Sequence, residues 1–170
     1  MRLSTVVIGS ALLFSIGFSL PAISQAPEQI EESQLNGNVK SLRLEIRKLR
    51  FNRRLWRKQK ITNYRYTLTN SCFCVPEARG PVIIEVRNGK TVSVTSEATG
   101  EKVNPDFFQN FDTIPELFNV IRDAINRRAD RLDVEYDAKF GYPTNISIDY
   151  KFQLADEELF LSVTNFEVIE

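Results

Sequence analysis

Two cysteines one residue apart, Cys72 and Cys74, are the side chains best suited to chemistry in this chain of 170 residues. In a flat strand their Cβ atoms would lie about 6 Å apart, whereas a disulfide needs roughly 3.8 Å, so bonding requires a kink. Pro76 follows closely and makes a kink plausible. The spacing predicts a disulfide. A redox-active thiol pair, a thiolate metal site and an intermolecular link stay open as alternatives.

The chain contains no histidine. This composition excludes a Ser-His-Asp triad, a Cys-His nucleophile pair, and zinc or haem held by imidazole. Acidic side chains are the other candidates, because Asp133, Glu135 and Asp137 alternate and would project about 7 Å apart from one strand face. We expect a solvated face there. A hard-cation site completed by Asp149 or by the acidic turn at 156–158 is the alternative, and we predict neither a metal nor a cofactor.

Five tyrosines are numerous enough to line a groove, although aromatic side chains that alternate along strands usually belong to a core. The Gly141-Tyr142-Pro143 sequence indicates a turn, with a candidate cis bond before Pro143. We hypothesise a partner groove between the loop after Cys74 and this turn. The candidate binding residues are Tyr64, Tyr66, Asp137, Tyr142 and Asp149.

The first 24 residues have the layout of a secretory signal peptide. Arg2 precedes an apolar run from Val6 to Leu20, Pro21 ends that run, and Ala22 and Ser24 place small residues before a cleavage site. A retained membrane anchor is the alternative. The sequence therefore predicts export to the periplasm or the extracellular space, which favours disulfides.

Residues 25–38 are polar and are expected to form a flexible tether, followed by a basic amphipathic helix over 39–60. From Lys40 to Lys60 there are ten Lys or Arg residues and one acid, whereas residues 101–170 carry fifteen acids and seven bases. The helix either packs its apolar stripe on the domain, with its cations near the acidic sheet or in water, or lies on an anionic membrane surface. An exported protein rarely meets nucleic acid, so none is expected as a partner.

The remaining residues, 61–170, predict one α+β domain. Alternating apolar residues indicate a single antiparallel sheet of about five or six strands. The Asn88-Gly89 turn predicts a hairpin, and a three-residue loop pairing Ile84 with Val92 would keep its apolar side chains on one face. A capping box from Thr113 to Glu116 begins a long helix that packs on the sheet.

Several motifs resemble an uncharacterised family of small exported bacterial domains. They are Trp56, Asn63-Tyr64-Arg65-Tyr66, Cys72-Phe73-Cys74, Asn88-Gly89, Tyr136-Asp137, Gly141-Tyr142-Pro143-Thr144, Ile148-Asp149 and Asp156-Glu157-Glu158. The resemblance covers roughly Leu55 to Glu170. It implies an exported domain of unknown function, often behind a signal peptide or lipid anchor, and it names no reaction.

These observations predict a non-catalytic binding or accessory module of the bacterial envelope, with an envelope protein or a small ligand as its partner. Two alternatives come from other classes of protein. One is a thiol/disulfide redox or metal-binding protein that uses Cys72 and Cys74. The other is a structural protein held at the membrane surface by the basic helix.

Overall fold

The computed structural model describes residues 28–72, 74–152 and 158–170. In the first helix, side chains are described from Lys40 onward. The predicted signal peptide, residues 1–24, lies outside the described residues, as do Phe73, Asp156 and Glu157.

Two helices and one six-stranded antiparallel sheet make an α+β fold, as the sequence predicts. In chain order the elements are α1 (Glu28–Gln59), β1 (Tyr64–Ser71), β2 (Val82–Arg87), β3 (Lys90–Ser96), α2 (Ile114–Arg127), β4 (Arg131–Tyr136), β5 (Pro143–Asp149) and β6 (Glu158–Val168). The strands are ordered β3-β2-β1-β6-β5-β4 across the sheet. Two single-turn 3₁₀ helices, Pro76–Ala78 and Pro105–Phe107, lie in the connections.

Helix α2 begins and ends where its sequence signals indicate. The Thr113 hydroxyl accepts a hydrogen bond from Glu116 N–H at 3.2 Å, and Pro115 occupies the first turn, where it interrupts no helical hydrogen bond. Arg128 adopts the left-handed conformation, with φ of 57°, and ends the helix. The apolar face is buried in the core shared with the sheet, through Ile114, Leu117, Phe118, Ile121 and Ala124.

Helix α1 is longer than predicted. It begins at Glu28 and runs for 32 residues, so the segment expected to be a flexible tether is helical from Glu28 onward. With 14 residues, α2 is the shorter helix, although we predicted the long helix at that position. Leu49 and Trp56 are buried on α1 in the same core as α2, and α1 lies beside β4.

The β2–β3 hairpin corrects the predicted loop. Arg87 pairs with Lys90, so Asn88 and Gly89 form a two-residue turn in which both φ values are positive. A register shift after Glu85 then places Val94 opposite Ile84 on the buried face. Val92 is left 57% exposed. The bulge, rather than a longer loop, brings Val94 to the face of Ile84 and Val86 and leaves Val92 outside it.

Candidate binding groove

Tyrosines predicted to line a groove are instead part of the core. Tyr64 and Tyr66 are each 1% exposed and Tyr142 is 8% exposed. Their rings pack with two other aromatic side chains, and we call this group the aromatic cluster: Trp56, Tyr64, Tyr66, Tyr142 and Phe166. Within it the rings of Tyr142 and Phe166 stack with centroids 4.4 Å apart. The cluster closes one end of the sheet against α1.

The hydroxyl groups of β1 hold the start of α2. Ile114 N–H donates to Tyr64 Oη at 3.0 Å, and Tyr66 Oη donates to the Phe111 carbonyl at 3.1 Å. Burial raises the pKa of Tyr64 to about 12 and raises that of Tyr66 well above its usual value. Both phenols are therefore neutral, structural groups at physiological pH.

The two predicted acidic binding residues lie far from each other. Asp137 shapes the turn before β5, because its Oδ1 accepts hydrogen bonds from Lys139 N–H at 3.0 Å and Phe140 N–H at 2.6 Å. Asp149 ends β5 at the other end of the sheet, where it lies opposite Arg131 in the register of β5 with β4. The structure gathers Tyr64, Tyr66, Tyr142 and Asp137 at one end and leaves Asp149 apart.

The predicted groove between the loop after Cys74 and the Tyr142–Pro143 turn is not formed. Tyr142 and Tyr64 both contact the ring of Trp56, and Tyr64 is the first residue of β1, whereas Cys72 follows the last residue of that strand. Eight extended residues span about 23 Å. The cis peptide is also elsewhere, at Gly80–Pro81 rather than Tyr142–Pro143.

Cys72 and Cys74 lie at disulfide distance. Their Cα atoms are 5.3 Å apart, within the usual range for a bonded pair. The chain leaves β1 at this point, which provides the kink that the short spacing requires. A disulfide in the structure is consistent with an oxidising compartment.

The loop that follows the disulfide is fixed in place by hydrogen bonds. Asn70 N–H donates to the Arg79 carbonyl at 2.6 Å, and Asn70 Nδ2 donates to the Ala78 carbonyl at 3.3 Å. Arg79 Nε donates to the Cys74 carbonyl at 3.0 Å. At Gly80, with φ of 80°, a Cβ atom would come 2.7 Å from the Leu68 carbonyl oxygen. Only glycine permits this close return of the loop to β1.

The connection after β3 lies opposite this loop and is held as firmly. Glu97 N–H donates to the Pro81 carbonyl at 3.1 Å, and Ser96 N–H donates to the Glu101 carbonyl at 2.8 Å. Val103 N–H donates to the Val94 carbonyl at 3.0 Å, so the chain returns along the edge of β3. The Asn104 side chain then begins the short helix Pro105–Phe107 by accepting from Asp106 N–H at 3.1 Å.

Between the two segments is a cavity of about 410 Å³, which we call the disulfide-side groove. Its lining is mainly apolar or small, with charged side chains among it, and comprises Pro76, Glu77, Gly80, Pro81, Val82, Ser96, Ala98, Thr99, Glu101, Lys102, Val103, Asn104 and Phe107. Val82 is 1% exposed and Phe107 is 39% exposed. The volume falls in the range of small-ligand pockets, and the arrangement is suited to holding an apolar group within a polar rim.

The alternating carboxylates are only partly brought together. Asp133 and Glu135 line a shallow depression of about 260 Å³ on the sheet face opposite the core, where Asn145 Nδ2 donates to Glu135 at 2.7 Å. Asp137 leaves this face because a register shift follows Glu135. Within the described parts of the chain, no three acidic or cysteine side chains lie close enough to hold a metal ion.

The disulfide-side groove is not the groove predicted from the sequence, and the two have in common the loop after Cys74. The loop after Cys74 was predicted to contribute, and Gly80-Pro81 marks its turn. The opposite wall consists of Ala98, Thr99, Val103 and similar side chains that carry no chemical signature. Gly100 is a turn signal in this segment, but it gives no indication of which loop the turn will face.

A family model described as a family of unknown function, DUF6174, matches residues 48–168. The match begins within α1 and includes every strand of the sheet, and therefore both walls of the groove. No curated protein matches the chain, and no solved structure does.

Proposed function

The chain belongs to the DUF6174 family of unknown function, and we propose that it is an exported, non-catalytic binding module whose disulfide-side groove holds an apolar side chain of a partner protein in the bacterial envelope. The observation that carries the proposal is the cavity of about 410 Å³ between two segments that are both fixed by backbone hydrogen bonds. A site that is formed before its ligand arrives loses less entropy on binding.

Export is supported by two independent features. The sequence of residues 1–24 is typical of a signal peptide. The Cys72–Cys74 pair lies at disulfide distance and beside the groove wall, where oxidation keeps the loop close to β1. Neither described helix has the length of apolar sequence that a membrane span requires.

The chemistry of the lining favours a side chain over a charged small molecule. Prolines, valines and Phe107 supply apolar contact area, whereas the charges of Glu77, Glu101 and Lys102 are of both signs. A cavity of this volume accommodates about one or two large side chains. A leucine or aromatic side chain on an extended partner segment fits this description.

Site-specific photocrosslinking in the native host tests the proposal. A photoreactive residue at Thr99, in the groove, should capture a discrete envelope partner, and the same residue at Phe152, 69% exposed and outside the groove lining, should not. Equal capture from both positions would contradict a groove site.

A matched pair of substitutions provides the control. Ala98→Trp places a large ring in the groove and should abolish capture from Thr99, while Ala138→Trp, at an exposed position in the turn between β4 and β5, should leave capture intact. Thermal unfolding of both variants establishes that they are folded. Undiminished capture by the Ala98→Trp protein would show that the partner does not occupy the cavity.

A further inference from the structure

The surface of α1 that faces away from the core carries an unusual combination of side chains. Six residues recur at alternating spacings of four and three and therefore share one helix face: Lys40, Leu44, Arg47, Phe51, Arg54 and Lys58. We call this the outer face of α1. Leu44 is 46% exposed and Phe51 is 68% exposed.

This face is opposite the one that packs on the domain. Leu49 and Trp56 are buried. Leu49 is two positions after Arg47, and Trp56 is five positions after Phe51, so each lies about half a turn around the helix from the outer face. From Lys40 onward, the large apolar residues of α1 therefore form two stripes, and the domain covers the one that contains Leu49 and Trp56. The exposure of Phe51 is not explained by folding.

The cations on the outer face have no acidic partners in the described residues. In the described part of the chain, α1 forms one ion pair within 4 Å, Lys48–Glu45, and it involves none of the four outer-face cations. Among the described residues, no acid of the second half of the chain lies within 4 Å of a cation of α1. The outer face thus combines four positive charges with two apolar side chains and contains no acid.

We propose that the outer face of α1 docks on an anionic phospholipid surface, with Leu44 and Phe51 inserted at the interface and the four cations among the lipid phosphates. This is a surface and a partner separate from the groove. Charge complementarity identifies an anionic partner, and the interleaved Phe51 and Leu44 favour lipid because apolar side chains gain free energy there by leaving water. The helix also begins eight residues after the apolar run that ends at Leu20, so it emerges close to a membrane during export.

Fluorescence quenching by brominated lipid tests the contact directly, with the full chain. Phe51→Trp places a probe on the outer face, and Val92→Trp places one at a similarly exposed position on β3. The native Trp56 is 6% exposed and contributes a constant background. Because the first 24 residues are the same in both variants, any membrane affinity that they have does not separate the two probes.

With vesicles of phosphatidylcholine and phosphatidylglycerol, we expect about twofold quenching of the probe at position 51 and little at position 92. Vesicles of phosphatidylcholine alone should quench neither. Changing Lys40, Arg47, Arg54 and Lys58 to Gln should raise the anionic lipid concentration for half-maximal quenching by at least about tenfold. The matched control changes Lys90, Lys102, Arg122 and Lys151 to Gln, which removes the same charge elsewhere.

Three results would overturn the proposal. Equal quenching at positions 51 and 92 would show that the protein binds without a preferred face. Equal weakening by the two sets of Gln substitutions would show that net charge alone matters. A blue shift of the probe at position 51 that depends on protein concentration and needs no vesicles would show that a second copy of the chain covers the face instead.

Discussion

The two ends of the sheet are stabilised in different ways. At the end where β1 begins, the aromatic cluster fills the space between the sheet and α1, and its tyrosines are almost fully buried. The end where β1 finishes lies outside this cluster. There the Cys72–Cys74 link, a close return at Gly80 and a few backbone hydrogen bonds hold the loop.

This difference explains why tyrosine and tryptophan side chains do not line the groove that we propose as the binding site. Packing removes Trp56 and the tyrosines of the aromatic cluster from solvent, so these side chains are not available to a partner. The disulfide-side groove at the other end has no tyrosine or tryptophan in its lining and has a volume of about 410 Å³. Rigidity at that end comes from hydrogen bonds and covalent chemistry, which hold the backbone without filling the space between its segments.

The largest effect should come from the aromatic cluster. Trp56→Ala removes a ring that contacts Tyr64, Tyr142 and Phe166, and we expect it to lower the free energy of unfolding by about 3–5 kcal/mol. Phe107→Ala, in the groove, should cost less than about 1 kcal/mol because its side chain is already partly in water. Urea unfolding measures both, and similar losses would remove the distinction between the two ends.

Alkaline pH should loosen the same end. Burial raises the pKa of Tyr64 from 10 to about 12, so the folded state resists ionisation more strongly than the unfolded state. The contribution of this group to the free energy of unfolding is complete below pH 10. It falls by about 3 kcal/mol as the pH rises through the folded-state pKa of about 12. Urea unfolding from pH 9 to 12 measures the slope. Tyr64→Phe should make it shallower, and an unchanged slope would contradict the assignment.

Glycines allow the two ends to be compared by one substitution. A Cβ atom would lie 2.7 Å from a backbone oxygen at both Gly80 and Gly141, the first at the groove end and the second against α1. Gly100 has a similar positive φ of 71° but nothing within 4 Å. Gly100→Ala should cost about 1–2 kcal/mol from backbone strain alone, and Gly80→Ala and Gly141→Ala should each cost more.

The binding readout separates these two variants. Gly80→Ala displaces the groove wall and should weaken capture from Thr99, whereas Gly141→Ala should leave capture intact despite a comparable loss of stability. If both variants lose capture equally, binding follows global stability and not the local shape of the groove.

The sequence predicted the elements better than their arrangement. Alternation gave the strands, and the Thr113-Ile114-Pro115-Glu116 motif gave the start of α2, because both signals are local. The Glu85–Val86 bulge and the helical state of residues 28–38 were missed. The bulge was missed because it depends on which residues of the partner strand share a face, and this is not a local signal. The helical segment was missed because the polar residues before Val39 have no apolar period that would indicate a helix.

The lining of the disulfide-side groove was not predicted as a whole, for the same physical reason. The type and spacing of Cys72, Cys74 and Pro76 predict a disulfide and a kink, and Pro76 lies in one wall of the groove. The opposite wall is selected by the order of the strands, which places β3 and its following connection beside that loop. No residue type in the sequence encodes that neighbour.

The disulfide should matter more for binding than for folding. Replacing Cys72 and Cys74 with Ser removes a ring so small that its entropic contribution is about 1.6 kcal/mol. We expect a loss of stability no larger than this, measured by urea unfolding, together with weaker capture from Thr99 because the wall loses its covalent link. Reduced wild-type protein should behave as the double variant does. Full capture by both would show that hydrogen bonds alone hold the wall.

The smallest effect should come from a carboxyl group that is buried on α1, away from both ends of the sheet. Glu45 of α1 is 3% exposed, and its Oε2 has no hydrogen-bond partner among the described residues, although Oε1 accepts from Lys48 Nζ at 2.7 Å. Burial raises its pKa above 4.5, more than the neighbouring Lys48 lowers it. The folded state therefore binds this proton more tightly, and the free energy of unfolding should fall as the pH rises from 4.5 through the folded pKa.

Glu45→Gln should remove that part of the pH dependence and change stability at neutral pH by less than about 1 kcal/mol, because the lost ion pair with the partly exposed Lys48 is weak. Urea unfolding between pH 4 and 8 measures the slope, and Glu116→Gln, whose carboxyl lies at the start of α2, is the control. A slope that Glu45→Gln leaves unchanged would show that the carboxylate is solvated in the folded protein. In that case the packing between α1 and β4 would be as open to water as the groove. The region that is closed to water would then be limited to the aromatic cluster.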